Sequence, residues 1–331
     1  MGAAGKKIFR PPLMMVFVGL LFGGAGAGML FMVLSTFQEK GIIVNGVERH
    51  DNGALAMSIA FLSIFIIFGL AVIVSTLLIR VEVTHTGLTI YNMAGQVAFG
   101  APWSRVSSYF PTGGGSRATT IWQISADGTA ANIPATISDY AGLQQAIVTQ
   151  LPKEVFGGLV KTEPSTDRRP ITPFDMSWKN GKDAYAMFFS ILWYGFIGFF
   201  IFGLIQATNQ SGKTDGLGLF IFALALFAII PFSTFLTAWR RFFGGRLRVW
   251  GEGMTLNDGN KTSHVLWNDL IFIEGRTSVQ RTKNSTSYIQ ELILVTKDSS
   301  ILIDDRCPRF GEVEHDAFQA APVGCIIVPR E

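Results

Sequence analysis

Hydrophobic positions along this chain fall into two regimes. Four long runs, 13–34, 54–79, 184–206 and 216–238, contain no Asp, Glu, Lys, Arg or His. At about 1.5 Å per residue each can cross a hydrocarbon core roughly 30 Å thick, so each predicts a transmembrane helix. The short segments 37–53 and 207–215 join them into two hairpins. After each hairpin the pattern changes to period two. Val81-Glu82-Val83-Thr84 leads to a turn at Gly87, and Leu88-Thr89-Ile90-Tyr91 leads to another at Gly95. Segments 103–110 and 121–125 continue as strands, Asp127-Gly128 marks a hairpin turn, and Ser138 caps a predicted helix over 139–151.

The same order returns near the C-terminus. Segment 247–250 reaches Gly253, then 254–257 resumes, and Leu266-Trp267-Asn268-Asp269-Leu270 matches Pro102-Trp103-Ser104-Arg105-Val106. Segment 288–296 and Asp298-Ser299 correspond to 121–125 and Asp127-Gly128, and a last helix is predicted over 310–321. The pattern is helix, helix, small β domain, repeated. It divides the chain into a first transmembrane hairpin (1–80), a first β domain (81–151), a linker (152–183), a second hairpin (184–239) and a second β domain (240–331). Pro152, Pro164, Pro170 and Pro173 give the linker its character.

A membrane hairpin followed by Gly87-Leu88-Thr89-Ile90 and Pro102-Trp103-Ser104-Arg105-Val106 resembles the bacterial membrane-anchored pleckstrin-homology-like family. Its members carry such a domain directly after two transmembrane helices, sometimes in tandem. The resemblance covers about 81–151 and 247–321 with their hairpins. It implies a strongly bent seven-stranded sheet capped by a helix in each β domain, and it transfers no catalytic residue. The expected fold is therefore an α+β membrane protein: four transmembrane helices in two hairpins, each hairpin followed by a cytoplasmic PH-like β domain with a C-terminal helix.

Composition and charge sharpen this picture. The chain is 49% hydrophobic with 28 Phe, more apolar than a soluble domain needs, and its net charge of +3 gives nucleic acid no obvious footing. Lys6, Lys7, Arg10, Arg80, Lys179, Lys182, Arg240, Arg241, Arg246 and Arg248 flank the runs on one side, against Lys40, Arg49 and Lys213 on the other. This asymmetry places both termini and both β domains in the cytoplasm of a bacterial inner membrane. Cys307 and Cys325 are then expected as thiols. Lys6-Lys7 ahead of an apolar stretch and Ala25-Gly26-Ala27 imitate a signal peptide, but the run continues to Leu34 and reads as a retained helix.

Candidate chemistry is sparse. Gly19/Gly23 and Gly24/Gly28 form two small-xxx-small pairs that clear a stripe for close approach by another helix, within the chain or across a dimer seam. Segment 207–214 imitates a phosphate loop with Ala207 in place of the first Gly. It lacks the preceding strand and lies outside the cytoplasm, so neither nucleotide nor any other cofactor is expected. The four His stand apart from metal-ligand spacing, and no catalytic motif occurs. Trp103 and Trp267 are expected as domain-core anchors. The loops 112–120 and 276–287 carry Arg117, Arg276, Arg281 and Lys283, candidate contacts to anionic headgroups or an acidic partner surface. The expected function is a non-catalytic accessory or scaffold protein that binds membrane lipids and a membrane protein complex, or itself. The competing class is a transporter or channel component built from a duplicated hairpin, which would call for broken helices and polar midplane groups.

Overall fold

A computed structural model describes residues 6–330 apart from 41, 45–46, 50–51, 113–120, 135–136, 166–169, 178–182, 185, 196, 199–201, 203–231, 233–234, 260, 282–285, 306 and 308. The chain begins with strand β1 (Lys7–Phe9) and enters helix α1 (Met14–Lys40). It turns over a short ribbon, β2 (Ile42–Val44) and β3 (Val47–Arg49), and returns through helix α2 (Asn52–Leu78). Strand β4 (Arg80–Val83) follows at once and pairs antiparallel with β1, Lys7 opposite Val83 and Phe9 opposite Val81. The helical hairpin therefore leaves and re-enters a single sheet.

Glycine sets the seam between α1 and α2. A Cβ on Gly19 would lie 2.6 Å from the Gly69 carbonyl, and one on Gly26 would lie 3.0 Å from Phe65 Cβ. Gly69 in turn abuts the backbone of Gly19 and Gly23. Contact of 19 with 69 and of 26 with 65 makes the helices antiparallel. Gly24 and Gly28 point elsewhere: a Cβ on either meets nothing within 4 Å among the described residues. The two glycine pairs thus separate, with Gly19 and Gly23 in the seam and Gly24 and Gly28 outside it.

The expectation of four transmembrane helices is overturned. Among the described residues only Leu55–Leu78 is long and apolar enough to cross a membrane. Met15–Phe31 and Ala186–Gly195 are apolar but shorter, and most of 196–234 lies outside the described residues. An uncharged run sets only an upper limit on an apolar helix, and the described residues outside the helices form several β-sheets.

The first β unit continues from β4 through β5 (Gly87–Tyr91) and β6 (Val97–Pro102), giving the sheet order β1-β4-β5-β6. A 3-10 turn at Trp103–Arg105 leads to a second sheet, β7 (Val106–Thr112), β8 (Ile121–Ala126) and β9 (Thr129–Asn132). Alternation in β8 turns Trp122, Ile124 and Ala126 inward. Asp127 and Gly128, both at positive φ, close the β8–β9 hairpin. Helix α3 (Tyr140–Val148) ends the unit, with the Asp139 carboxylate accepting from the Gly142 amide at 3.0 Å.

The second unit has the same succession. Strand β10 (Phe174–Ser177) pairs with β11 (Gly245–Trp250), and β12 (Gly253–Asp258) and β13 (Thr262–Leu266) complete the sheet. Ser177 stands opposite Arg246, so the intervening chain also leaves and returns at one place. A 3-10 turn at Trp267–Asp269 leads to β14 (Leu270–Arg281), β15 (Thr286–Thr296) and β16 (Ser300–Asp304). Helix α4 (Phe310–Ala320) follows, and β17 (Ile326–Val328) adds itself parallel to β14. Parts of 152–183, read from sequence as a linker, pack into the structure. A 3-10 helix over Lys153–Leu159 buries Val155 and Phe156 against the first unit, and the Lys161 amide donates to the Cys325 carbonyl at 2.8 Å.

Candidate functional site

The two units meet along one face of β14. Residues Phe272, Glu274 and Arg276 alternate onto the side that receives the first unit, while Ile273 joins the core of its own unit. Trp122 of β8 is fully buried and donates its indole N–H to Glu274 Oε1 at 2.9 Å. Its ring stacks on Tyr109 at 4.4 Å and leans on Phe272 at 5.5 Å. The Arg276 guanidinium lies 4.1 Å from the ring centre of Tyr140 in α3, and Arg276 Nε donates to Glu291 Oε2 at 2.6 Å from the facing position on β15. Gln144 closes the cluster: its amide donates to Tyr140 OH at 2.8 Å, and its Oε1 accepts from Tyr109 OH at 2.9 Å.

Electrostatics follow from this geometry. Burial pushes the Glu274 carboxyl up to about 7, against the pull of Arg276 and of the Trp122 hydrogen bond. Burial also raises Tyr109 and Tyr140 well above the ordinary phenol range, so both stay neutral donors or acceptors. Arg276 loses solvation in the same place, but Glu291, Tyr140 and Glu274 hold it protonated. Among the described residues Glu274 Oε2 and Arg276 Nη1 have no hydrogen-bond partner. On the opposite face of β14, Glu314 is paired with Arg330 at 3.0 Å.

Beside this cluster a cleft of about 610 Å³ opens between α3 and the second unit. Lys7, Asp139, Arg241, Lys261, Asp298 and Asp304 line it, with both signs of charge interspersed. Gln145 of α3 crosses its edge to donate to the Lys297 carbonyl at 2.9 Å. Among the described residues no group of three His, Cys, Asp or Glu could hold a metal ion. Cys307 and Cys325 are buried, and burial pushes both thiols up to about 12, which leaves them protonated and unreactive at neutral pH.

Residues singled out from sequence are distributed differently. Trp103 and Trp267 are buried in separate clusters, and each indole N–H donates to a backbone carbonyl, of Thr84 at 2.8 Å and of Trp250 at 3.3 Å. Arg276 is a correction: it is buried in the inter-unit cluster, because β14 extends as a strand to Arg281 where the sequence suggested a solvated loop. Arg281 ends that strand, and its side chain lies outside the description, as do Arg117, Lys283 and the phosphate-loop mimic 207–214. Trp122, Glu274, Tyr109 and Tyr140 were missed. The available signal was Leu270-Ile271-Phe272-Ile273, a strand apolar on both faces that runs straight into Glu274, the signature of burial on both sides. Comparison of the chain with family models, curated proteins and solved structures finds no match.

Proposed function

We propose that this chain is a non-catalytic, membrane-anchored scaffold whose paired β units dock a membrane protein complex. The observation that carries the reading is the buried Trp122–Glu274 contact, which makes one body of two units. A rigid two-unit surface held against a bilayer presents partner contacts at a fixed distance and angle, with little ordering entropy left to lose on docking. Helix α2 supplies the anchor, with α1 packed along it. Lys6, Lys7, Arg10 and Arg80 border this hairpin on the β-unit side, against Lys40 and Arg49 at its far turn, which favours a cytoplasmic position for the units. Each unit sets a four-stranded sheet beside a second sheet and follows it with a helix, after which the second unit adds β17, in keeping with a pleckstrin-homology-like domain.

The test is affinity purification of the tagged full chain in mild detergent, beside the Trp122→Phe variant, with quantitative mass spectrometry. Specific co-purification of a membrane complex, weakened when the Glu274 contact is lost, supports the reading. A chain that recovers only itself and lipid contradicts it. An impermeant thiol reagent in intact cells reports the side of the membrane: Asp127→Cys in the exposed β8–β9 turn should be protected from it.

A further inference from the structure

The turn between β5 and β6 lies at the end of α2. Arg80, two residues past the helix, stands opposite Tyr91 in the β4–β5 register, so residues 92–96 project back beyond the sheet, alongside the helix end. Gly95 fixes this placement: it holds φ 74°, and a Cβ there would lie 3.1 Å from Leu78 Cδ2, on the last residue of the helix. The turn is preformed. Asn92 Oδ1 accepts from the Ala94 amide at 2.9 Å and the Gln96 amide at 3.0 Å, and the Gly95 amide donates to the Asn92 carbonyl at 3.0 Å. At its apex Met93 is 69% exposed, and Val97 beside it is 59% exposed. Below the turn the Arg80 guanidinium sits 3.7 Å over the Tyr91 ring, a cation and an aromatic at the level where a membrane helix meets headgroups.

If α2 crosses the bilayer up to Leu78, a turn packed on Leu78 is at the boundary between acyl chains and headgroups. An unbranched, flexible apolar side chain presented there gains by leaving water. We propose that the 92–96 turn, with Met93 at its tip, is a membrane wedge that inserts into the bilayer interface beside α2 and fixes the tilt of the β units. The equivalent turn of the second unit lacks this feature. Gly259 there also has positive φ and abuts the Arg240 carbonyl, but its neighbours are Asp258 and Lys261. The wedge is thus one-sided, and the two-unit body is pinned at its first unit.

The proposal rests on α2 as the anchor, and the test separates the two. The full chain is reconstituted into phosphatidylcholine–phosphatidylglycerol vesicles with an environment-sensitive fluorophore at Met93→Cys, Phe68→Cys or Asp127→Cys. The unsubstituted chain, whose cysteines are buried, is the labelling blank. Quenching is read with lipids brominated either near the glycerol or near the acyl-chain end. The expected result is a blue-shifted Met93 probe quenched most by shallow bromines, a Phe68 probe quenched most by deep bromines, and an unquenched Asp127 probe. A quenched Phe68 probe beside an unquenched Met93 probe overturns the wedge and leaves the anchor standing. An unquenched Phe68 probe overturns both, and a quenched Asp127 probe shows that the whole unit, not this turn, enters the interface.

Discussion

The two β units share a succession of elements but not an equal claim to independence. Among the described residues the second unit's core, from Leu247 to Cys325, draws on its own strands, α4 and flanking segments such as Ile171 and Phe174. The first unit's core is completed by Phe272, Ile293, Val295, Ile326 and Val328, all from the second. Strand length carries the difference. Among the described residues β7 and β8 run for 7 and 6 residues, whereas β14 and β15 run for 12 and 11, and β17 widens their sheet. The longer sheet has a surplus face, and the first unit packs onto it. Two copies of a similar pattern therefore become a support and a dependent.

The most severe way to break this dependence is at Trp122. Trp122→Ala removes a fully buried ring from between Tyr109 and Phe272 and leaves Glu274 without its donor. The expected loss is about 3–5 kcal/mol, a large part of the roughly 5–15 kcal/mol that holds a domain. Limited proteolysis of the full chain should then cut the first unit while the second resists.

Glu274 sharpens the comparison through pH. Its carboxyl is raised from 4.5 to about 7 in the folded state, so the folded chain holds this proton where the unfolded chain has lost it. That contribution to stability is complete below the unfolded value and disappears as pH rises through about 7, on the order of 3 kcal/mol in all. Glu274→Gln keeps the oxygen that Trp122 donates to and removes the titration. Denaturant midpoints at acid and mildly alkaline pH should differ more for the unaltered chain than for the variant. Equal slopes would mean that the carboxyl is not held as the geometry indicates.

In the helical hairpin the contrast lies between the glycines. Gly69→Leu drives a side chain into the backbone of Gly19 and Gly23 and should cost about 1–3 kcal/mol of hairpin stability, read as a lower melting temperature in detergent. Gly24→Leu, with open space around it, should melt like the unaltered chain. The smallest expected effect is at Arg105, whose exposed pair with Asp127 lies outside every packed contact. Arg105→Ala should change stability by no more than about 0.5 kcal/mol in the same assay.

How much of this was legible in the sequence follows from what each feature depends on. Local patterns were enough for the turns at Gly87, Asp127-Gly128 and Gly253, and for two tryptophans that anchor separate clusters. Strands β1 and β10 were hidden because three or four residues beside a long apolar run look like its charged flank or a linker. The number of membrane helices was overstated because absence of charge measures length alone. The inter-unit site was invisible for a different reason: Trp122 and Glu274 are 152 residues apart in sequence, and only the packing of one sheet on another joins them. Arg276 was assigned to solvent for the same reason, since nothing local shows that Tyr140 and Glu291 enclose it.

The central claim is that the first unit's fold is conditional on the second, and hydrogen exchange in two variants of the full chain tests it most directly. Trp267→Ala strikes only the second unit's core and Trp103→Ala only the first's. Trp267→Ala should raise exchange in β14 and β15 and also in β7, β8 and α3. Trp103→Ala should raise it in the first unit while β14, β15 and α4 keep their protection. A Trp267→Ala chain with an unfolded second unit and a fully protected first unit would contradict the account.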